Sequence, residues 1–335
     1  MTIAAIPSLR PRRAVRGNRT GKTMDVILHI GAHRCATTSF QAYMRRNATS
    51  FMADGTGFWG PKRTRNGLFC GVVPGGVSAP VRNPRRRAAG RIRMQLDGSA
   101  RQGVRLLVVS DENIMGNMRR NLHDRALYAG AGQRLSHFGT AFGGRVTRVA
   151  VNIRALDLFW SSALGYGLTR AHPLPDSQAL ADIAENRRGW REVIEDVACA
   201  LPDTPITVMP FERFAGRPDR QLSAMTGGAV PTKNAQDWLN ATPKLARLRR
   251  DLPEEIATQL PAGEGRWLPF SPAQAARLRG VYAEDLSWLM AGADGLAQLA
   301  VVPNKTTAEK TPPQTDLTRG RPHDQDQQGR LAGAG

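Results

Sequence analysis

Short apolar runs alternate along the chain with longer segments in which apolar residues recur every three or four positions. The short runs are rich in Val, Ile and Leu, which is typical of strands buried on both faces of a parallel sheet. They occupy residues 24–30, 104–109, 146–153 and 206–210. The longer segments predict helices. They cover about 37–52, 84–101, 121–138, 156–168, 176–201, 217–226, 243–260 and 272–291.

Strands that alternate with helices imply a mostly parallel sheet with right-handed crossovers. The predicted fold class is therefore α/β, with a three-layer α/β/α arrangement around a mostly parallel central sheet. A polar, glycine-rich stretch at 54–80 interrupts the pattern, and Trp59-Gly60-Pro61 predicts a turn within it.

Both ends of the chain lack this periodicity. Residues 1–23 are rich in Pro and Arg, and residues 303–335 are rich in Pro, Gln, Asp, Gly and Thr. We therefore expect a basic disordered tail at 1–23, a single domain at 24–302 and a second disordered tail at 303–335. Met24 lies immediately before the first strand, and a start of translation at Met24 is a hypothesis that follows from this position.

The first predicted strand leads into a segment of small and hydroxyl-bearing residues, Gly31-Ala32-His33-Arg34-Cys35-Ala36-Thr37-Thr38-Ser39. Apolar residues from Phe40 onward recur at helical spacing, which predicts a helix that begins near Thr37 or Thr38. A strand, a loop of small residues and a helix N-terminus form an anion-binding loop, because main-chain N–H groups point into the loop and the helix dipole adds positive potential. Arg34 adds a full positive charge. The expected ligand is a phosphate-like group.

The carboxyl ends of parallel strands predict where further site residues lie. In open α/β sheets, ligands bind beyond these ends. That rule places residues 31–39, Ser110–Asn113 and Arg154 at one edge of the sheet. Gly17–Thr23 resembles a Walker A loop, but its spacing is one residue short and it precedes a strand instead of following one. We therefore do not assign phosphate binding to that segment.

The net charge of +19 first suggests a nucleic-acid partner. The charge is almost all arginine, as a compositional bias would give, and much of it lies in the 1–23 tail and in a cluster from Arg82 to Arg93. An anionic small molecule needs only a local basic site. We therefore expect a nucleotide cosubstrate and an acceptor substrate as partners, and not a nucleic acid.

Composition also bears on location and cofactors. No apolar run reaches the roughly 18 residues of a membrane span, and the N-terminus lacks the apolar core of a secretory signal. The three cysteines are widely spaced and give neither a disulfide nor a zinc pattern. These features favour a cytoplasmic protein without a membrane span or a bound metal.

The loop resembles that of a known family. It lacks the Gly-Lys pair that ends the loops of nucleotide triphosphatases. It resembles instead the 5′-phosphosulfate loop of the sulfotransferase superfamily, typically Lys-(Ser/Thr)-Gly-Thr-(Thr/Ser), with Arg34-Cys35-Ala36-Thr37-Thr38 at the matching positions. The flanking segments, Leu28–His33 and Ser39–Gln41, look like those of the bacterial sulfotransferase-like branch.

Three further pieces follow in the family's order. Arg154 ends a strand and Ser162 lies eight residues later, with Ser161 as an adjacent alternative. The segment Leu106–Glu112 resembles a strand that ends in Ser-Glu, and Val208–Phe214 resembles a strand with an aromatic-Glu-Arg ending. The resemblance spans about 24–291 and implies the P-loop type of the three-layer fold.

The resemblance implies that the cosubstrate is 3′-phosphoadenosine 5′-phosphosulfate (PAPS). The 5′-phosphosulfate would be held by Gly31, Arg34, Cys35, Ala36, Thr37, Thr38 and Ser39. Arg154 and Ser162 would hold the 3′-phosphate. Arg34 would also balance charge on the leaving phosphate. Glu112 is the first candidate for the general base and His33 is the second. Their alternative roles are structural: Glu112 would pair with Arg34 or cap a helix, and His33 would orient the loop.

Two residues depart from the family's pattern, since Arg34 replaces a lysine and Ala36 replaces a glycine. If position 36 needs a positive φ or a close approach of phosphate, the Ala36 methyl group obstructs it. Two alternatives to an active sulfotransferase therefore stay open, a nucleotide-dependent kinase and a catalytically inactive protein that binds nucleotides or polyanions. A carbohydrate, a lipid and a small metabolite are all candidate acceptors.

Gly265-Arg266-Trp267 is either a basic loop over the nucleotide or a surface turn.

Overall fold

The computed structural model describes residues 24–74 and 82–301. Six parallel strands form one sheet in the order β2-β3-β1-β4-β5-β6. They are β1 (Asp25–Gly31), β2 (Thr56–Trp59), β3 (Leu106–Ser110), β4 (Arg148–Ile153), β5 (Ile206–Pro210) and β6 (Gln298–Leu299). Helices cover both faces, so the predicted three-layer α/β/α class is confirmed. Both predicted tails, 1–23 and 303–335, lie outside the described residues.

The helices are α1 (Thr37–Arg46), α2 (Ala48–Ala53), α3 (Pro61–Arg63), α4 (Pro84–Arg101), α5 (Met118–Asp124), α6 (Ala131–Phe142), α7 (Leu156–Leu168), α8 (Ser177–Glu185), α9 (Trp190–Ala200), α10 (Phe211–Phe214), α11 (Pro218–Thr226), α12 (Leu245–Asp251), α13 (Glu254–Ala257) and α14 (Pro272–Met290). None of the helices in the described ranges is long and apolar enough to cross a membrane.

Strand β1 is buried on both faces, as its continuous apolar run predicts. Val26, Leu28 and Ile30 belong to the larger core cluster, which α4, α6, α7, α9 and α14 share. Ile27 belongs to a second cluster on the opposite face, where Phe40 and Tyr43 of α1 and Leu222 of α11 pack. Successive side chains of β1 therefore pack alternately against the helices on the two faces of the sheet.

Two strands and several helix breaks differ from the sequence-based expectation. The 54–80 stretch contains β2, a four-residue edge strand that includes Gly57, and β6 has only two residues. Both are too short to leave a clear period. The predicted helix at 243–260 is broken at Leu252-Pro253, since proline cannot continue it. Three other predicted helices are also divided into two in the structure, those at 37–52, 121–138 and 176–201.

The order of the strands locates a crevice. After β1, the chain forms β2 and β3 on one side of β1 in the sheet, and then β4 on the other side. The carboxyl ends of β3, β1 and β4 are therefore neighbours, at the point where open α/β sheets bind ligands. Residues 31–36, Asp111–Asn113 and Arg154 meet there, as predicted.

Candidate functional site

A cavity of about 360 Å³ lies at the carboxyl edge of β1, β3 and β4. The loop after β1 forms one wall, and residues 238–244 and 265–266 form the opposite one. The lining residues are His33, Arg34, Ala36, Thr37, Thr38, Glu112, Met118, Arg154, Tyr166, Phe211, Trp238, Leu239, Asn240, Ala241, Thr242, Lys244, Gly265 and Arg266.

The loop has an unusual backbone. Arg34 and Ala36 have φ angles of 61° and 62°, in the left-handed region that residues with a Cβ disfavour. Helix α1 begins directly afterwards at Thr37, and no side chain in the described part of the chain caps its N-terminus. Its first N–H groups therefore remain available to an anion in the cavity. Position 36, at which the sulfotransferase loop pattern has glycine, thus has a positive φ in this chain, and Ala36 adopts it.

Gly31 controls how closely the loop approaches Glu112. Its φ is 84°, and a Cβ built there would lie 2.8 Å from the Cβ of Glu112 and 3.2 Å from Cγ2 of Thr37. Only glycine fits this position without displacing Glu112. Gly31 therefore shapes the site although it does not line the cavity.

The Arg34 side chain extends across to α7. Its Nε donates to Oγ of Ser162 at 3.0 Å, and its Nη2 donates to Oγ1 of Thr242 at 3.2 Å. The guanidinium lies 5.1 Å from the ring centre of Tyr166. The resemblance to sulfotransferases implies that Arg34 and Ser162 bind opposite ends of a nucleotide. In the structure they are in direct contact, because arginine is long enough to reach α7 from the loop.

Arg154 holds the loop from behind. Its Nη1 donates to the main-chain oxygen of Arg34 at 2.9 Å, and its guanidinium lies 4.3 Å from the ring centre of Phe211. Its buried Nε has no hydrogen-bond acceptor among the described residues. A buried charged donor without an acceptor is costly. Arg154 also lines the cavity, so an anion bound there would offset part of this cost.

The lining is strongly positive. Four cationic side chains line the cavity (Arg34, Arg154, Lys244 and Arg266), against one carboxylate, Glu112. Burial and the neighbouring charge of Arg154 lower the pKa of Arg34 to about 10. Burial lowers the pKa of Arg154 too, and the charge of Arg266 acts in the same direction. Like charges held this close repel each other until an anion lies between them.

Glu112 is bound by residues that the sequence did not indicate. Its carboxylate accepts hydrogen bonds from Nε2 of Gln41 at 3.0 Å and from Nη2 of Arg65 at 2.9 Å. Arg65 also donates to Asp111, at 2.7 Å. Burial alone would raise the pKa of Glu112, but the charges of His33 and Arg65 lower it below its usual value. Since His33 is neutral at neutral pH, Arg65 is the cation that keeps Glu112 ionised there.

His33 has both ring nitrogens occupied. The hydroxyl of Tyr128 donates to Nδ1 at 2.8 Å, and Nε2 donates to Oδ1 of Asn113 at 3.1 Å. The main-chain N–H of His33 donates to the same hydroxyl at 2.9 Å, which fixes the direction of the Tyr128 proton. Burial lowers the pKa of His33. This arrangement suits a neutral residue that orients the loop.

The other predicted residues lie behind the cavity. Cys35 is buried in the core, and burial raises the pKa of its thiol to about 12. Oγ of Ser39 accepts from the main-chain N–H of Leu239 at 2.9 Å, so it holds the opposite wall. The hydroxyl of Ser161 donates to the main-chain oxygen of Asp157, which leaves Ser162 as the serine that reaches the site.

A buried polar network that the sequence did not reveal crosses the sheet beneath the site. Gln41 donates to Ser110 at 3.3 Å, Ser110 to Nδ1 of His29 at 2.8 Å, and Nε2 of His29 to Asn152 at 2.7 Å. Asn152 donates onward to Gln221 at 3.4 Å. Burial lowers the pKa of His29 to about 4, so every member is neutral at neutral pH. The network ties β3, β1 and β4 together directly below the loop.

Comparison of the chain with models of known protein families gave no match, and comparison with curated proteins also gave none.

Proposed function

We propose that this protein is a sulfotransferase that moves a sulfuryl group from PAPS to an acceptor hydroxyl or amine. The observation that supports the proposal most directly is the cluster of four cations around one cavity at the carboxyl edge of the sheet. Within it, the buried Nε of Arg154 has no acceptor in the described chain. A nucleotide with phosphates at both ends would neutralise this cluster.

The residues around the cavity suit the two ends of such a donor. The N–H groups at the start of α1 and the hydroxyls of Thr37 and Thr38 would hold the 5′-phosphosulfate. Arg154 would bind the 3′-phosphate. Arg34 contacts Ser162 and opens onto the same cavity, so it would bridge both ends and balance charge on the leaving phosphate.

Glu112 is the proposed general base. As the acceptor oxygen bonds to sulfur, the bond between sulfur and the 5′-phosphate oxygen breaks, and the leaving nucleotide takes its electron pair. The acceptor's proton passes to the Glu112 carboxylate, which is ionised and lines the cavity. His33 keeps its role as a positioning residue, since neither nitrogen has a free lone pair in its present hydrogen bonds.

A kinase is disfavoured by the state of the nearby carboxylates. A kinase needs acidic residues free to hold magnesium. Asp111 is bound by Arg65 and by the hydroxyl of Thr64, and Glu112 is paired with Arg65. A non-catalytic nucleotide-binding protein is the second candidate, because Ala36 places a methyl group where the superfamily pattern has glycine.

Ligand-induced thermal shift tests donor binding. We expect 3′-phosphoadenosine 5′-phosphate to raise the melting temperature well above the effect of ADP or ATP. Arg154→Ala should abolish that preference. Arg170→Ala is the control, because Arg170 also lies over an aromatic ring, that of Tyr166, 5.3 Å from its centre, but does not line the cavity. An equal response to ATP would overturn the proposal.

Turnover separates the enzyme from the inactive alternative. Transfer of label from ³⁵S-labelled PAPS to components of a cell extract, lost in Glu112→Gln, supports the enzyme. Selective nucleotide binding without transfer to any component supports the second candidate.

A further inference from the structure

Gln41 is a buried side chain of α1 that contacts Glu112 without lining the cavity itself. Its Nε2 donates to Oε2 of the Glu112 carboxylate at 3.0 Å. Arg65 donates to the other oxygen, Oε1, at 2.9 Å. Each oxygen of an ionised carboxylate has room for more than one hydrogen bond. The two donors therefore fix the carboxylate from outside the cavity and leave both oxygens able to accept a proton from within it.

Helix α1 brings Gln41 to Glu112. Gln41 lies four residues after Thr37, so the two side chains share one face of the helix. Cγ2 of Thr37 and Cβ of Glu112 lie together beside Gly31, 3.2 and 2.8 Å from a Cβ built there. Glu112 therefore packs along the start of α1. One helix thus presents its N-terminus to an anion in the cavity and also holds the neighbouring carboxylate.

The charge on Glu112 determines which way the Gln41 amide points. An ionised carboxylate only accepts hydrogen bonds, so Nε2 of Gln41 faces it and Oε1 does not. The same Nε2 also donates to Oγ of Ser110, at 3.3 Å. Ser110 then donates to Nδ1 of His29, and Nε2 of His29 donates to Oδ1 of Asn152. Each of these hydrogen bonds is directed away from Glu112.

The network ends on the main chain. Asn152 donates to Oε1 of Gln221 at 3.4 Å, and Nε2 of Gln221 donates to the main-chain oxygen of Phe214 at 3.0 Å. All the side chains of the network are buried. Reversing the Gln41 amide would set its oxygen against the Glu112 carboxylate and would redirect the hydrogen bonds behind it. The network therefore holds Gln41 in the orientation that stabilises an ionised Glu112.

We propose that Gln41 is a positioning residue for Glu112, which it aims at the acceptor. The hydrogen bond between them does not depend on any function, whereas the use of Glu112 as a base rests on the proposed sulfotransferase reaction. A base must lie within hydrogen-bond reach of the proton that it takes. Donors on both oxygens restrict the rotation of the carboxylate and so keep it in that geometry.

The titration of Glu112 tests this contact without any substrate. In the full chain, labelled with ¹³C at the side-chain carboxyl of glutamate, the NMR signal that disappears in Glu112→Gln identifies the residue. Gln41→Met keeps the size of the side chain but removes the donor to the charged carboxylate. The pKa of Glu112 should therefore rise, and its signal should begin to shift at a pH about 1 higher than in the wild type.

The substitution leaves the titratable and charged groups beside Glu112 in place, which include His29, His33, Asp111, Arg65 and Tyr128. A shift in the titration of Glu112 would therefore come from the lost hydrogen bond. Gln41→Asn is a second variant for the same test, because it keeps a polar group in the network but is one methylene too short to reach the carboxylate.

Gln221→Met is the matched control. It removes another buried glutamine amide from the same network, but Gln221 hydrogen-bonds Asn152 and Phe214 and not Glu112. Both methionine variants should lower the melting temperature, and only Gln41→Met should move the titration of Glu112. An unmoved Glu112 signal in the Gln41 variants, or an equal movement in Gln221→Met, would overturn the proposal.

Transfer of label from ³⁵S-labelled PAPS to a cell extract at neutral pH is a second readout, which a purely structural role would not change. Gln41→Met should transfer label about tenfold more slowly than Gln221→Met, with an unchanged affinity for 3′-phosphoadenosine 5′-phosphate. A wild type that transfers no label, together with a moved Glu112 titration, would contradict only the proposed function. Equal transfer by the two variants would contradict only the positioning role of Gln41.

Discussion

Replacing Ala36 by glycine is expected to stabilise the protein, although the same change in most helices and loops is destabilising. Ala36 has φ 62° and ψ 20°, in the left-handed region, immediately before α1. In that region the Cβ of an L-residue crowds the following carbonyl oxygen. Glycine has no Cβ, so Ala36→Gly removes this strain from the folded state.

The size of the effect follows from two opposing contributions. A left-handed residue with a Cβ costs about 1–2 kcal/mol in the folded state. Glycine also loosens the unfolded chain, which costs about 0.4–1 kcal/mol on folding. The net expectation is a free energy of unfolding that is higher by about 0.5–1 kcal/mol.

Urea unfolding measures this difference as a higher midpoint with an unchanged slope. Two alanine-to-glycine variants are matched controls. Ala171 also has a positive φ, 57°, and is exposed away from the cavity, so Ala171→Gly should give a similar gain. Ala276 is exposed within α14, so Ala276→Gly should lose about 1 kcal/mol.

The sign of the change in the free energy of unfolding shows whether position 36 adopts the left-handed conformation. A loss for Ala36→Gly as large as that for Ala276→Gly would mean that position 36 does not adopt the left-handed conformation. The backbone of the loop would then not explain why the superfamily pattern has glycine at this position.

Two further predictions concern titrating groups. The pKa of His29 in the folded state is about 4, so the unfolded chain binds more protons than the folded one between about pH 6.5 and 4. The free energy of unfolding should therefore fall by up to about 3 kcal/mol as the pH falls through that window. Burial raises the pKa of Asp285 to about 6, which makes the free energy of unfolding change with pH in the opposite direction, equally in wild type and variant. Urea unfolding of wild type and His29→Gln at several pH values therefore isolates the contribution of His29 as the difference between the two pH slopes. Parallel curves would contradict the burial of His29 as a neutral residue. Arg65→Met should raise the pKa of Glu112 and, under the proposed function, move the acid limb of the sulfation rate to higher pH. It should also lower the free energy of unfolding by about 1–3 kcal/mol, because buried Asp111 loses its charged partner and keeps the Thr64 hydroxyl. Arg63→Met, which removes a neighbouring arginine without a carboxylate contact, is the control, and an unmoved acid limb would exclude Glu112 as the titrating base.

The fold was largely predictable because its central strands are mostly apolar runs rich in Val, Ile and Leu. The runs that became β1, β3, β4 and β5 were located to within two residues, and α4 and α7 have the predicted bounds. The breaks in longer helices were not predicted. The one at Leu252-Pro253 follows from proline, which the sequence shows, whereas others depend on local hydrogen bonds. Asn47, for example, donates to the main-chain oxygen of Tyr43 between α1 and α2.

The site was predictable where it follows strand ends, and unpredictable where it depends on side chains from distant segments. Arg65 comes from a stretch without periodicity, and only the structure reveals that it binds Asp111 and Glu112. Ser39 lies in the predicted loop, but its hydroxyl faces Leu239, 200 residues away. A hydroxyl near a helix N-terminus has several partners within reach, and sequence does not select among them.

Arginine at position 34, where the sulfotransferase loop pattern has lysine, illustrates how one such contact shapes the site. A lysine has no Nε–H at the point where Arg34 donates to Ser162, and its single ammonium group could not also reach Thr242 as the guanidinium does. Arg34 therefore links the loop, α7 and the 238–244 wall in one step. Arg34→Lys would keep the positive charge but lose the hydrogen bonds to Ser162 and Thr242. We therefore expect a larger loss of nucleotide binding than the unchanged charge alone would give. Thermal shift with 3′-phosphoadenosine 5′-phosphate measures this loss, and Ser162→Ala in the wild-type background shows how much of it comes from the serine.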